Sequence, residues 1–140
     1  MTTRNILVPM DGSRAALHAL EYAAKRFRDS DNTCLLILTV QPRLPSSRTV
    51  TKAMIAEYHE RQSEDALAPA RALVEKHGSV AQFYSRLGDP ATEIAAFAKR
   101  TRCAEIIMGT RGLGRVSGML LGSVAQKVIS LGHVPVVLVK

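Results

Sequence analysis

Short apolar runs alternate with helical periodicities along the 140-residue chain, and this alternation most limits the folds open to it. Runs at residues 5–10, 34–40, 80–87, 105–108 and 134–139 have the length and composition of strands. Between them, apolar positions recur at steps of three and four. Leu17, Leu20, Ala24 and Phe27 make one such stripe behind Ser13, a residue type that caps helices. The run at 34–40 is the most continuous, which predicts a central strand buried on both faces. The run at 80–87 alternates, with Phe83 between Gln82 and Tyr84, as a strand nearer a sheet edge would. Asp89-Pro90 joins a capping carboxylate to a proline at the first helical position, ahead of a stripe of Ile94, Phe97 and Ala98. The order β-α-β-α-β-α-β-α-β implies a parallel sheet with helices on both faces and right-handed crossovers. With no linker and no internal repeat, the expectation is one α/β domain over residues 1–140, a Rossmann-like three-layer sandwich on a five-stranded parallel sheet.

The middle of the chain is less regular. Residues 41–48, with two prolines and two serines, read as a loop. From 49 to 77 the pattern is helical, with Val50, Met54 and Tyr58, then Ala66, Ala70, Leu73 and Val74. Pro69 lies inside it and is expected to kink or split the helix, because it removes a backbone donor and crowds the preceding turn. Gly78 then closes it.

Composition excludes several classes of protein. No apolar stretch approaches the roughly 18 residues of a membrane span, and the first ten residues lack the long apolar region of a signal peptide. Cys34 and Cys103 have no metal-ligand spacing and read as reduced thiols of a cytoplasmic protein. The net charge is +7, yet the basic residues come in pairs such as Lys25-Arg26 and Lys99-Arg100, Trp is absent and aromatics are 4%. Solvated helix faces therefore fit better than a nucleic-acid surface. His18, His59, His77 and His133 are scattered over separate elements and read as surface or packing residues.

The chemistry concentrates in one loop. Gly109-Thr110-Arg111-Gly112 follows the apolar Ile106-Ile107-Met108, and Gly122-Ser123 opens the next helical pattern. A glycine-rich loop between a strand and a helix N-terminus is where α/β proteins build phosphate sites: the backbone approaches closely, the first helical N–H groups lack partners, and the dipole favours an anion. Taken singly, the glycines also suit tight turns, and Ser123 suits a helix cap. A dinucleotide fingerprint starting at Gly112 lacks its acidic ribose ligand, since neither Asp nor Glu follows Glu105. A Walker loop lacks its lysine, because Ser123 directly follows Gly122.

The remaining spacing, Gly-x2-Gly-x9-Gly-Ser, resembles the ATP-binding motif of the universal stress protein family. The likeness covers essentially the whole chain, from Ile6-Leu7-Val8-Pro9-Met10-Asp11-Gly12-Ser13 through Gly88-Asp89-Pro90-Ala91 to Gly122-Ser123-Val124-Ala125 and Pro135-Val136-Val137. Glu105, where the family often has aspartate, and the long proline-interrupted helix depart from the pattern. The resemblance implies strand order 3-2-1-4-5 and a homodimer joined through the last strand, Val134 to Val139. It places Pro9 and Asp11 at the adenosine side, with Asp11 helping to hold Mg2+ when a nucleotide is bound, and Val40 at adenine through its backbone. Met108, Gly109 and Gly112 would line the ribose and inner phosphates, and Gly122, Ser123 and Val124 the outer ones. Arg111 adds positive charge, as does Arg115. The implied cofactor is ATP, with ADP or AMP as alternatives.

Three functions stay open at this point: an ATP-binding stress-response or signalling module, a slow ATPase or phosphoryl-transfer enzyme, and an adaptor with an unoccupied nucleotide site. Phosphoryl transfer needs a positioned base and carboxylate-held metal, and near the loop the sequence offers only Asp11.

Overall fold

The computed structural model describes residues 2–110 and 121–140. Its elements run β1 (Arg4–Pro9), α1 (Arg14–Arg26), β2 (Thr33–Gln41), α2 (Lys52–His77), β3 (Ala81–Leu87), α3 (Pro90–Arg100), β4 (Glu105–Gly109), α4 (Ser123–Leu131) and β5 (Val136–Val139). The strands form one parallel sheet in the order β3-β2-β1-β4-β5. Both the class and the order match the expectation. The last strand starts two residues later than expected, at Val136.

Side-chain alternation along the strands divides the core into two layers. Leu7, Leu36, Leu38, Ile106 and Met108 pack with Ile94, Phe97, Ala98, Ala125 and Val128 of α3 and α4. Ile6, Val8, Leu35, Ile37 and Ile107 face the other way, onto Ala19, Leu20, Leu67 and Ala70 of α1 and α2. β1, β2 and β4 are apolar on both faces because each is covered twice. Cys34 and Cys103 are buried free thiols, and burial pushes both above the ordinary thiol range.

The long helix corrects two expectations. Pro69 does not split it: α2 is continuous from Lys52 to His77. Nor is its apolar stripe buried throughout. Ala66, Leu67 and Ala70 are in the core, whereas Met54 and Tyr58 are exposed, as is Val50, which precedes the helix because α2 starts at Lys52, three residues later than expected. Length explains this. Twenty-six helical residues extend about 39 Å at the usual rise, against about 30 Å for the nine residues of β2, so the first turns overhang the sheet. Of the histidines, His59 is buried in the α2 stripe and His77 partly so, while His18 and His133 are exposed.

The helices begin differently. Ser13 Oγ accepts from Ala16 N–H (3.2 Å), Thr51 Oγ1 accepts from Met54 N–H (3.2 Å), and the Asp89 carboxylate accepts from both Thr92 N–H (3.1 Å) and the Thr92 hydroxyl (2.7 Å). The cap of α4 is Gly122, and no side-chain hydrogen bond caps that helix. Ser123, read from sequence as a potential cap, is instead its first helical residue.

Candidate functional site

In a parallel sheet with alternating helices, every helix N-terminus lies at the carboxyl end of the strands, where such folds take ligands. A cavity of about 560 Å³ opens there. It collects Pro9 and Asp11 after β1, Val40 of β2, Met108 and Gly109 of β4, and Gly122, Ser123 and Val124 at the start of α4. Eight of the residues singled out from sequence thus line one opening. Arg111 and Gly112, together with Arg115, lie outside the described residues.

The two halves of the glycine motif are tied at its base. Gly122 N–H donates to the carbonyl of Thr110 (2.6 Å), and Thr110 N–H donates to the carbonyl of Val139 (3.1 Å). Thr110 and Gly122 therefore meet at the tip of β4. Within α4 the first bond runs from Gln126 N–H to the Gly122 carbonyl (3.0 Å). The N–H groups of Ser123, Val124 and Ala125 precede that bond, as the leading donors of any helix do, and these residues line the cavity. The dipole adds partial positive charge at the same place.

Gly109 lacks a side chain for a different reason. A Cβ there would stand 2.7 Å from the carbonyl oxygen of Ala15, so this glycine lets α1 lie directly against β4. Packing on α1 is a sufficient cause for it, independent of any ligand.

Strand length prepares the opposite side of the opening. Leu35 N–H donates to Val80 and Gly88 N–H to the Gln41 carbonyl, so odd-numbered residues of β2 turn their backbone groups toward β3. Even-numbered residues turn theirs toward β1, as the bond from Met10 N–H to the Leu38 carbonyl shows (2.7 Å). The β1–β2 register ends at Pro9 against Leu38. Val40 N–H and C=O therefore face the space beyond the tip of β1, at the cavity wall.

The charged groups are few. Asp11 Oδ1 accepts from Ser13 N–H (2.9 Å), which holds the β1–α1 turn. Asp89 receives Lys127 Nζ (2.9 Å), joining α3 to α4, and the Thr92 hydroxyl and Lys127 hold its carboxyl down at about 2. Among the described residues, no group of three or more His, Cys, Asp or Glu side chains gathers into a metal site.

The sequence reading missed the wall that α2 contributes, through Gln62, Asp65 and Ala66. Their spacing is visible in the sequence, but their place over the cavity depends on how α2 crosses the sheet, which no local signal encodes.

A family model described as the universal stress protein family matches residues 2–140. A universal stress protein of Methanocaldococcus jannaschii, MJ0531, is 32% identical over 140 residues, covering 98% of this chain and 82% of its own length. The solved hypothetical protein MJ0577 superposes over all of this chain and 97% of its own, with TM-score 0.81 and 26% identity. A universal stress protein from Archaeoglobus fulgidus, solved in complex with dAMP, covers both chains fully at TM-score 0.68 and 25% identity. With the whole chain matched in sequence and in fold, this protein belongs to the universal stress protein family.

Proposed function

We propose that this chain binds an adenine nucleotide, ATP above ADP and AMP, at the carboxyl end of its sheet, and acts as a stress-response or signalling module whose contacts depend on occupancy. The observation that carries the reading is α4. It is the described helix whose cap supplies no side chain, and its leading N–H groups line the cavity beside the tied glycine motif. A polyphosphate would accept from those groups. The backbone groups of Val40, beyond the tip of β1, suit the edge of adenine. The dAMP complex of the A. fulgidus relative is in keeping with a nucleotide here.

Magnesium would enter with the nucleotide, because it binds through one or two carboxylates plus phosphate oxygens. Asp11, at the cavity, is the residue to supply one. The hydrolytic reading needs a base to orient water, and no described arrangement favours it. The remaining alternative, an adaptor whose site stays empty, differs in what titration would show.

The homodimer remains part of the proposal. β5 is an edge strand, and edge strands invite pairing across a two-fold axis. Val137 and Val139 pack on the α1 face, while Leu138 is exposed, so Leu138→Lys is the variant to weaken a dimer without entering the core.

The test is calorimetric titration of Mg-ATP, ADP and AMP into the wild type and Gly122→Val. The φ of −67° and ψ of 155° at Gly122 suit valine, so the variant should fold. Its branched side chain should block phosphate approach and abolish measurable binding. Equal affinity in wild type and variant, or no binding by the wild type at millimolar ATP, would return the chain to the adaptor reading.

A further inference from the structure

Gln62 and Asp65 put two polar side chains on the cavity wall that the glycine motif does not account for. Three residues apart, with Ala66 next to Asp65, they share one face of α2. That stretch of helix is held in place by backbone. Gly12, at φ +81°, brings the β1–α1 turn so close that a Cβ on it would lie 3.3 Å from the Cα of Ala66. Pro69 lacks an N–H, so the carbonyl of Asp65 also goes without its usual helical donor. Among the described residues, neither Gln62 nor Asp65 has a hydrogen-bond or ion-pair partner, while neighbouring Glu64 is held by Arg71 at 3.0 and 3.3 Å. Because α2 packs on β2, its pair stands on the Val40 side of the opening, away from α4.

We propose that Gln62 and Asp65 recognise the nucleoside part of the bound nucleotide, with Asp65 accepting hydrogen bonds from its donors. This rests on the reading of the cavity as a nucleotide site. A carboxylate beside a polyanion is repulsive by itself. It favours binding where it accepts from a donor or meets the nucleotide's Mg2+; phosphates above neutral pH supply no donor, and a metal contact would be shared by magnesium tripolyphosphate. The exocyclic amine of the base and the ribose hydroxyls are the donors a nucleoside carries. Gln62, with both donor and acceptor atoms, suits a base edge.

The sign of one substitution separates recognition from simple repulsion. Mg-ATP, Mg-ITP, Mg-dATP and magnesium tripolyphosphate are titrated into the wild type, Asp65→Ala and Gln62→Ala. Recognition predicts that Asp65→Ala weakens ATP about tenfold or more, the scale of a hydrogen bond to a charged group, while tripolyphosphate binds as well or better. If the loss vanishes with ITP, the amine is the donor; if it vanishes with dATP, the 2′-hydroxyl is; a loss shared by all three nucleotides assigns the 3′-hydroxyl. The proposal fails if Asp65→Ala binds ATP as tightly as the wild type or more tightly, or if tripolyphosphate weakens equally. A wild type that binds tripolyphosphate and nucleotides alike, or none of them, overturns it too, and in the latter case the nucleotide reading falls with it. Wild-type nucleotide binding with an unaffected Asp65→Ala overturns this proposal alone.

Discussion

The two ends of the sheet are built on opposite plans. At the amino end the strands start among polar side chains that pair with one another or with backbone. The Glu105 carboxylate, which begins β4 and is nearly buried, receives the guanidinium of Arg26 through both oxygens and has Arg4 at 3.6 Å. Asn5 Nδ2 donates to the Thr101 carbonyl (3.1 Å), and Ser30 and Thr33 join through their hydroxyls (2.6 Å). At the carboxyl end β2 outruns β1, α4 starts on a glycine, and a cavity opens. One end spends its polar groups on itself, and the other presents them outward. Substitutions at the first should therefore register as lost stability, and those at the second as lost binding.

Gly109→Val should have the largest effect and marks where that division breaks. Although it lies in the glycine motif at the open end, the new side chain would collide with the backbone of Ala15. Overpacking of this kind should cost about 3 kcal/mol of folding stability, read from the urea midpoint. A variant as stable as the wild type would show that α1 does not need the close approach.

Arg26→Ala comes next. Breaking a buried ion pair costs about 3–5 kcal/mol, but Arg26 is 34% exposed and Arg4 remains beside Glu105, so about 2–3 kcal/mol is expected here. ATP affinity of the folded variant should match the wild type in calorimetry. A loss of affinity with unchanged stability would invert the contrast between the ends.

Ser123→Ala should reduce ATP binding by about 1–3 kcal/mol through its hydroxyl. Because Gly122 is the cap and Ser123 already helical, stability should hold. Denaturation of the ligand-free variant decides this, and a marked loss there would make Ser123 a structural residue.

The smallest effect belongs to Asp89, which both caps α3 and pairs with Lys127. Its carboxyl is held at about 2 in the folded chain against an ordinary 3.8, first by Thr92 and then by Lys127. A lowered folded value means that ionisation favours folding above about 3.8, and that this advantage fades as pH falls through about 2. The stability difference between wild type and Asp89→Ala should be small and persist at pH 4, then shrink toward pH 2. A difference that stays the same from pH 7 to pH 2 would mean the carboxyl titrates normally.

The same contrast governs what could be read from sequence. Strands, the Ser13 and Asp89 caps and Pro90 were legible because each is a local signal: an apolar run, a capping side chain, a fixed φ. The cavity residues Pro9, Asp11, Val40, Gly122 and Ser123 were legible through the family resemblance, whose motif aligns with the strand ends and glycine spacing of this chain. The overhang of α2 was not, since Met54 and Tyr58 carry the same periodicity as the buried Ala66 and Ala70. Only the length of the neighbouring strands distinguishes them. Likewise nothing local separates Gly109, which accommodates a helix, from Gly122, which begins one. The pairing of Arg26 with Glu105 spans 79 positions and exists only once β1 and β4 are adjacent.

The central claim is that ligand phosphates meet the first N–H groups of α4. Backbone amide chemical shifts, followed by NMR as Mg-ATP is added, test it at the atoms concerned. The amides of Ser123, Val124 and Ala125 should move strongly and saturably, with Val40 moving less and Arg4, Asn5 and Glu105 staying in place. Saturable shifts elsewhere with the α4 amides unmoved would contradict the account.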